Sequence, residues 1–332
     1  LAAWESFKMR LVSTGQVVME KDKSVVVVEI GSFPKFGTPV KDSKGADVYS
    51  VPDGVKVLSY DHSACLVKFE PVTRFTVDHN HACHLVTTAR GREVEVSSNE
   101  SLVAFNHETG EIDKIKPAEC VGRMVPTIRK VDVFGDLGNR DLGWWYGVLV
   151  ADGWVTDRTV GYSKNDEVKR EEVIRLAKEL FGEFISYEYI SEKTEGKYSD
   201  SAKIHINNVK IAESVYSLYD PRGNPESRGA LRKKIPDALL ANGSRECLFG
   251  VLSGLLDGDA FVGWTPSKTK PQFVANLYTS SPYLRDDILH LGCRLGIRCS
   301  VTITPARNAS QESYTICLSI VDLKKVAKEI ST

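Results

Sequence analysis

The stretch Trp145-Tyr146-Gly147-Val148-Leu149-Val150-Ala151-Asp152-Gly153 has a near copy later in the chain, Leu252-Ser253-Gly254-Leu255-Leu256-Asp257-Gly258-Asp259-Ala260. Each is an apolar segment in which small residues recur every four positions, the spacing of one helical face. The small residues are Gly147, Ala151, Gly254 and Gly258. Because a face without bulky side chains lets two backbones approach closely, the repeat predicts two helices that pack on each other.

An acid ends each stretch, Asp152 in the first and Asp259 in the second. If the helices pack, the two carboxylates lie near each other at a pseudo-twofold axis. With the main-chain carbonyls of Ala151 and Gly258 at the same helix ends, they form a set of oxygen ligands for divalent cations such as Mg²⁺. For one copy alone, an ordinary helix cap and turn is the competing interpretation. The pair favours a metal-dependent nuclease.

Composition sets outer limits on the function. The formal net charge of −1 argues against a nucleic-acid partner, since phosphate contacts usually require an excess of basic residues. A local cluster around the second stretch offsets this argument: Arg222, Arg228, Arg232, Lys233, Lys234, Lys268 and Lys270. No apolar run is long enough for a membrane span, no signal peptide is recognisable, and the seven cysteines are odd in number. We expect a soluble intracellular protein of the cytoplasm or nucleoid, or of the nucleus in a eukaryote.

The pattern of the chain changes near residue 132, which predicts an α+β protein of two domains, residues 1–132 and 133–332. Short β-type runs separated by turn signals fill the first part. They are residues 25–30, 55–58, 66–69, 84–88, 93–96 and 102–105. The second part contains two units of the same order, each a motif helix, a strand pair, a second helix and further strand. The predicted helices are 142–153, 166–181, 247–260 and 282–296, and the strands lie within 154–164, 184–208, 261–279 and 299–320.

Several ordered blocks make residues 133–332 resemble the single-chain LAGLIDADG homing endonucleases. Besides the two motif stretches, they are Thr159-Val-Gly-Tyr-Ser-Lys164-Asn-Asp166 with the helix after it, Lys233-Lys-Ile-Pro236, and Tyr278-Thr-Ser-Ser-Pro-Tyr-Leu284 through Arg294-Leu-Gly-Ile297. The resemblance implies a monomer with two αββαββα halves related by a pseudo-twofold axis. It also implies hydrolysis of double-stranded DNA at a long asymmetric target with Mg²⁺, for which Mn²⁺ can substitute.

The same resemblance suggests roles for individual residues. Asp152 and Asp259 are the expected metal ligands, one for each half, and Lys164 is the basic residue near the metals in the first half. Ser280 falls where the second lysine would be, so Lys268 or Lys270 must take that role, and equal cutting of both strands is in doubt. The neighbouring acids Asp166 and Asp257 are interpreted as solvated or capping residues.

Contacts to DNA are expected from the polar strands, because alternation along a strand sends every second side chain to one face. In the first half the candidates are Lys193, Lys197, Lys203, His205 and Asn207. In the second half they are Lys268, Lys270, Gln272, Asn276, Thr302, Thr304 and Arg307. For any one of these residues, an ordinary solvated sheet face is the alternative.

Residues 45–130 resemble the splicing (Hint-like) domain of inteins, especially those in DNA polymerases. The resemblance rests on Val55-Lys-Val-Leu-Ser-Tyr60, on residues 86–102 and on Lys116-Pro-Ala-Glu-Cys-Val-Gly122-Arg-Met-Val-Pro126. In the family's Thr-x-x-His block, however, Ser97 stands for the Thr and Glu100 for the His. The sequence also ends at Thr332 without the family's terminal His-Asn. We therefore expect a degenerate domain that does not splice.

Three functions follow from these observations. The leading one is an intein-derived, site-specific DNA endonuclease. The second is a nucleic-acid-binding protein without catalysis, such as an RNA maturase or a regulator on the same fold. The third is a fragment of a protein-splicing element that needs a partner.

Overall fold

The computed structural model describes residues 16–21, 24–29, 33, 36–43, 45–61, 66–77, 82–191, 201–216, 229–265, 270–306 and 311–331. The chain forms two compact units, Leu1–Ile128 and Arg129–Thr332, a division four residues before the predicted one (132 − 128 = 4). None of the described helices is both long and apolar enough to cross a membrane.

The first unit is built of short antiparallel strands. They are β1 (Gln16–Lys21), β2 (Ser24–Glu29), β3 (Phe36–Lys41), β4 (Asp47–Ser50), β5 (Lys56–Asp61), β6 (Leu66–Pro71), β7 (Arg74–Val77), β8 (Cys83–Thr87), β9 (Glu93–Ser97), β10 (Leu102–Phe105) and β11 (Ile112–Ile115). The sheets have the orders β2-β1-β5-β6, β3-β4-β7, β8-β9 and β10-β11. Helical structure in the described part of this unit is one 3₁₀ turn, Pro117–Glu119.

All six strands predicted for the first unit are present, and the predicted turns contain Gly54 and Gly91 with positive φ angles of 81° and 73°. Only glycine adopts this backbone region without strain, which explains why these positions punctuate the strands. The prediction missed strands such as β4 and β11 because four-residue segments with charged or polar members give little periodic signal.

The second unit contains two halves with the same element order, αββαββα. The first half is α1 (Arg140–Asp152), β12 (Gly153–Val155), β13 (Thr159–Ser163), α2 (Glu167–Phe181), β14 (Ile185–Ser191), β15 (Ser201–Asn207) and α3 (Val209–Val215). After the short connecting helix α4 (Asp237–Asn242), the second half is α5 (Arg245–Asp259), β16 (Ala260–Trp264), β17 (Phe273–Thr279), α6 (Pro282–Leu295), β18 (Cys299–Thr304), β19 (Ser313–Leu318) and α7 (Ile320–Ser331). The predicted duplication is confirmed: α3 and α7 close the two halves as the αββαββα order implied, and the connecting helix α4 was not predicted.

Each half folds around one antiparallel four-stranded sheet, and the two sheets have equivalent strand orders, β12-β13-β15-β14 and β16-β17-β19-β18. Apolar side chains alternate along the strands toward the helices: Ile204 and Ile206 on β15 and Ile316 and Leu318 on β19 are buried in one continuous core. The intervening side chains therefore lie on the opposite, helix-free face of each sheet.

The motif helices α1 and α5 pack with their backbones in direct contact. A Cβ added at Gly147 would lie 2.4 Å from the Val251 carbonyl oxygen, and one added at Gly254 would lie 2.4 Å from the Trp144 oxygen. Gly143 continues this face, since a Cβ there would lie 1.9 Å from the Cys247 oxygen. The prediction that small residues allow the helices to approach is confirmed.

Candidate active site

The two motif acids are the last residues of the two packed helices. Gly153 after α1 and Ala260 after α5 are extended, so each chain leaves its helix directly into the first strand of its half. A Cβ added at Gly258 would lie 2.2 Å from the Ala151 Cβ and 3.4 Å from Asp152 Oδ2. The carboxylate of the first helix therefore lies against the end of the second.

Lys164 joins the two helix ends from the first half. Its Nζ donates to Asp152 Oδ2 at 2.7 Å and to the Gly258 carbonyl oxygen at 2.9 Å. The lysine and aspartate side chains are only 27% and 21% exposed, so this ion pair is partly shielded from water. Lys164 follows β13 directly, which explains how a residue twelve positions after Asp152 returns to it (164 − 152 = 12).

A second lysine, Lys233, approaches the same place from before the second motif, and its Nζ donates to the Ala151 carbonyl oxygen. Ala151 precedes the first acid as Gly258 precedes the second, so the two ammonium groups contact equivalent carbonyls. Burial lowers the pKa of Lys233, while Asp259 and Asp152 act in the opposite direction. Lys233 had no predicted role in the site, although it belongs to the Lys233-Lys-Ile-Pro236 block that precedes the second motif.

The same charged groups affect the pKa of the second motif acid, Asp259. Burial is the main reason that its pKa is raised, and the Asp152 carboxylate adds to the effect, whereas Lys233 and Lys164 counteract it. A carboxyl group whose pKa is raised by a neighbouring carboxylate gains from a cation between the two. Carboxylate and carbonyl oxygens are hard ligands of the kind that Mg²⁺ and Mn²⁺ prefer, and two ammonium groups already contact three of them. The residues thus fit a divalent cation, although the described residues contain no cluster of three or more His, Cys, Asp or Glu side chains that could hold one.

A cleft of about 310 Å³ lies beside Asp259. Its walls include Lys233 together with the hydroxyl side chains of Tyr278, Ser280 and Thr315. Ser280, at the position where a lysine was expected, therefore faces the same space as the lysine that comes from residue 233.

Of the two lysines predicted for the second half, the structure describes one. Lys268 is outside the described residues. Lys270 is exposed and lies beyond the Trp264–Phe273 pair at the far end of the β16–β17 hairpin. Because four residue steps along a strand cover roughly 13 Å, this end of the hairpin is remote from Asp259.

The neighbouring acids have structural contacts. Asp166 caps α2 by accepting from the Lys169 amide, as interpreted from the sequence. Asp257 accepts from Trp144 Nε1 at 2.8 Å and from Lys169 Nζ at 3.3 Å. Asp257 therefore links α5 to α1 and α2.

The helix-free face of the first sheet combines polar and aromatic groups. Lys203, His205 and Asn207 alternate with the buried residues of β15 and lie on this face. Tyr187 stacks on His205 with ring centroids 4.7 Å apart, and the Trp154 indole meets the same imidazole edge-on at 5.4 Å. Lys193 and Lys197 are outside the described residues.

Gly161 explains how the tryptophan reaches that histidine. A Cβ at Gly161 would lie 2.1 Å from the Trp154 Cε2 atom, so the indole lies across the glycine backbone between strands β12 and β15. The pKa of His205 is lowered by burial and, to a smaller extent, by Lys203. A neutral imidazole suits a contact to a base edge better than one to a phosphate.

The corresponding face of the second sheet has a different chemistry. Asn276, Thr302 and Thr304 lie on it, and Gln272 is exposed just before β17. The Asn276 side-chain oxygen accepts from Cys317 Sγ at 2.8 Å. On the described strands this face carries hydroxyl, amide, thiol and apolar groups without a formal charge, and Arg307 is outside the described residues.

In the first unit, Ser97 is the last residue of β9, and Glu100 lies in the short connection to β10. The Ser97 side chain is buried, and its hydroxyl accepts from the Asn99 amide at 3.3 Å. A carboxylate oxygen of Glu100 accepts from the following amide at 3.1 Å. Both side chains thus have contacts that stabilise a turn.

Comparison with known proteins points to the second unit. The family model for the LAGLIDADG-like domain matches residues 246–331, which is the second αββαββα half. No curated protein sequence matches the chain.

Among solved structures, the chain is similar to the homing endonuclease I-DmoI in complex with DNA and Ca, with 14% identity, a TM-score of 0.37 and coverage of 57% of this chain and 88% of that one. It is also similar to the homing endonuclease I-WcaI bound to its DNA recognition sequence, with 11% identity, a TM-score of 0.37 and coverage of 55% and 77%. Full-length DUF199/WhiA from Thermatoga maritima aligns with 15% identity, a TM-score of 0.33 and coverage of 61% and 60%. The match to the LAGLIDADG-like domain model thus covers residues 246–331, and residues 140–215 repeat the element order and strand order of that segment.

Proposed function

We propose that this chain is a site-specific double-strand DNA endonuclease that acts as a monomer, with one half-site on each αββαββα half. The observation that carries the proposal is the meeting of Asp152 and Asp259 at the ends of two backbone-packed helices, with an ammonium group at each equivalent carbonyl. A duplex has two strands to cut, and a pseudo-twofold site supplies one acid and one lysine for each.

The donor atoms define what a cation would do. Asp152 and Asp259, with the carbonyls of Ala151 and Gly258, would hold Mg²⁺ or Mn²⁺. A bound divalent cation supplies activation of water near neutral pH and neutralises charge on the phosphodiester. Two acids without a third carboxylate leave most ligand positions to water and phosphate oxygens, which is usual for Mg²⁺.

The lysines supply fixed positive charge on either side of the acids. Lys164 and Lys233 are partly buried, so their charges are less screened than those of surface lysines. Ammonium groups placed where negative charge develops on a phosphate stabilise the transition state without moving. We assign this role in the second half to Lys233 in place of Lys268 and Lys270.

The open sheet faces would contact the DNA. The first sheet offers Lys203 and a row of rings around His205, while the second offers hydroxyl and amide groups that can hydrogen-bond to base edges. The chemical difference between the faces is what an asymmetric target requires.

Cleavage of a randomised duplex library with Mg²⁺ or Mn²⁺, followed by sequencing of the cut ends, tests the proposal. We expect one long asymmetric target, cut by the native chain and by the control Asp166→Asn, because Asn is an equally good helix cap. Asp152→Asn and Asp259→Asn should bind this target without double-strand cleavage.

Retained double-strand cutting by both of these variants would refute the active site. Binding of duplex DNA or structured RNA without any cutting by the native chain would favour the non-catalytic alternative.

We further infer that the first unit is a splicing-type domain that no longer splices and that the endonuclease is intein-derived. The strand-rich architecture of its described residues and the replacement of the family's histidine by Glu100 support this inference. Incubation of the purified chain, with mass measured over days, should show no peptide-bond cleavage at the ends of this domain. Spontaneous cleavage would instead support the splicing function.

A further inference from the structure

We propose that Arg170, Ser281 and Asp287 are positioning residues, which hold Lys164 and Lys233 in place by fixing the main chain at each lysine. The proposal rests on the function proposed above and adds residues that touch neither DNA nor metal. It concerns helices α2 and α6, which are the equivalent elements of the two halves.

In the first half, the anchor is a buried arginine. Arg170 on α2 is 6% exposed, and its Nη1 donates to the Lys164 carbonyl oxygen at 2.8 Å. Its Nε donates to Glu188 at 2.6 Å, which orients the guanidinium. The Lys164 amide donates to the Ala202 oxygen at 3.1 Å, so both main-chain groups of this lysine are held.

In the second half, two buried side chains hold the segment that carries Lys233, one from the N-cap residue of α6 and one from α6 itself. The Ser281 hydroxyl, fully buried at the start of the helix, donates to the Lys233 carbonyl oxygen at 2.6 Å. Asp287, one and a half turns further on and 4% exposed, accepts from the Ile235 amide at 2.8 Å. This segment forms no regular helix or strand there, so these side chains replace the hydrogen bonds of secondary structure.

The two lysines come from opposite directions along the chain. Lys164 follows its motif acid, whereas Lys233 precedes the acid of the second half, so they cannot be equivalent by sequence. In each half, nevertheless, the lysine's own carbonyl is held by a buried side chain at the N-terminal end of the equivalent helix, from within α2 in the first half and from the N-cap of α6 in the second. The shared contact indicates that the main chain at each lysine has to be held in place.

The requirement follows from the length of a lysine side chain. Four rotatable bonds separate its ammonium from the backbone, so the ammonium reaches a helix-end carbonyl reproducibly only if the Cα is fixed. Misplacement of a catalytic group by about 1 Å can lower a rate by about 10²-fold. Loss of one anchor should therefore impair one half of the site and spare the other.

The first test needs neither DNA nor metal. The full-length chain is acetylated with an N-hydroxysuccinimide ester, and the rate at each lysine is measured by mass spectrometry. In Arg170→Met, Lys164 should react several times faster than in the native chain while Lys233 is unchanged. In Ser281→Ala and Asp287→Leu, Lys233 should react several times faster than in the native chain while Lys164 is unchanged.

Matched variants separate positioning from general damage. Arg175→Met makes the same change on an exposed arginine of α2 that contacts Glu172 and Glu179, and it should leave both lysines protected. Asp287→Asn keeps an oxygen that accepts from the Ile235 amide and should restore the native pattern. If Asp287→Leu does not fold, Ser281→Ala carries the second-half test alone.

The second test uses a supercoiled plasmid containing the selected target. Arg170→Met should convert it to nicked circles, with the cut in one strand slowed about 10²-fold. Ser281→Ala should slow the cut in the opposite strand by about the same 10²-fold, and Asp287→Asn should cut both strands at the native rate. Equal slowing of both strands in every variant, or unchanged lysine reactivity, would overturn the proposal. If the native chain cuts no duplex, the proposed function fails, and the acetylation pattern still decides whether the anchors hold the lysines.

Discussion

Replacement of Gly254 by alanine tests the helix contact on which the whole site depends. A Cβ at this position would lie 2.4 Å from the Trp144 oxygen, 2.7 Å from the Val148 nitrogen and 2.9 Å from the Gly147 carbonyl carbon. All three are backbone atoms of α1, so no side-chain rotation can make room. Ordinary contact begins at 3.4 Å, and the helices must therefore separate locally by about 1 Å, from 3.4 − 2.4.

The magnitude follows from two opposing effects. Overpacking a close-packed interface costs about 1–3 kcal/mol and occasionally more, and a gap of about 1 Å also forfeits part of the dispersion energy of the neighbouring contacts. Alanine has a higher helix propensity than glycine by about 1 kcal/mol, which offsets some of this cost. We expect Gly254→Ala to lower the free energy of unfolding by about 2 kcal/mol, or the Tm by about 4–8 °C for a unit of this size.

Urea denaturation at 25 °C, followed by tryptophan fluorescence, measures this change. Four of the five tryptophans, Trp144, Trp145, Trp154 and Trp264, lie in the second unit, so the signal reports mainly on that unit. Gly229→Ala is the matched control, since a Cβ there meets no atom within 4 Å, and it should change stability by less than about 0.5 kcal/mol. If Gly254→Ala is as stable as the control, the backbone contact does not hold the two acids together.

Three further predictions concern single side chains. Burial raises the pKa of Asp287 to about 8, so the protonated carboxyl stabilises the fold at low pH, and this stabilisation is lost as pH rises from about 4 to 8. In urea titrations, D287N should remove this dependence of the free energy of unfolding on pH. At pH 8 the variant should be more stable than the native chain by up to about 5 kcal/mol. The hydrogen bond from Arg298 lowers the pKa of Asp322 to about 2, so the carboxylate stabilises the fold above about pH 4 and this stabilisation is lost toward pH 2. D322N should lower the free energy of unfolding by about 1 kcal/mol at pH 7 and leave it unchanged at pH 2. An equal loss of stability at both pH values would contradict the ion pair. G161A should displace the Trp154 indole and, by exposing His205, raise the pKa of that imidazole toward its usual value in an NMR titration.

The fold of the second unit was largely predictable because its information is local. The glycine spacing along the motif helices indicates which helix face has no bulky side chains. The alternation on β15 indicates which side chains lie on the sheet face opposite the core. The N-terminal caps are also local, as Asn139 before α1 and Ser244 before α5 show. The residue pattern located none of the helices α3, α4 and α7, although the αββαββα order implied a closing helix for each half. Helices α3 and α4 have only seven and six residues, which is too few turns to establish a period.

Half of the candidate site was harder to predict from the sequence. The acids and Lys164 lie in or beside the motif, and their meeting follows from the packing of the helices. The charge in the second half comes from Lys233, whose contact with Ala151 joins residues 82 positions apart. A search for a lysine at the position equivalent to 164 leads to Ser280 instead, because the duplication repeats the backbone and not the side chains.

The sequence by itself determined the two motif helices, the strand-rich first unit, the duplicated order of elements and the identity of the two acids. Each of these depends on neighbours within a few turns or residues, and periodicity records such relations directly. The tertiary structure alone decided which ammonium groups meet the helix ends and that Trp154 crosses Gly161 to reach His205. It also decided that buried groups of α2 and α6 hold the lysine backbones. These contacts join side chains to main-chain atoms of distant segments, and such atoms have no residue-specific signal in a sequence.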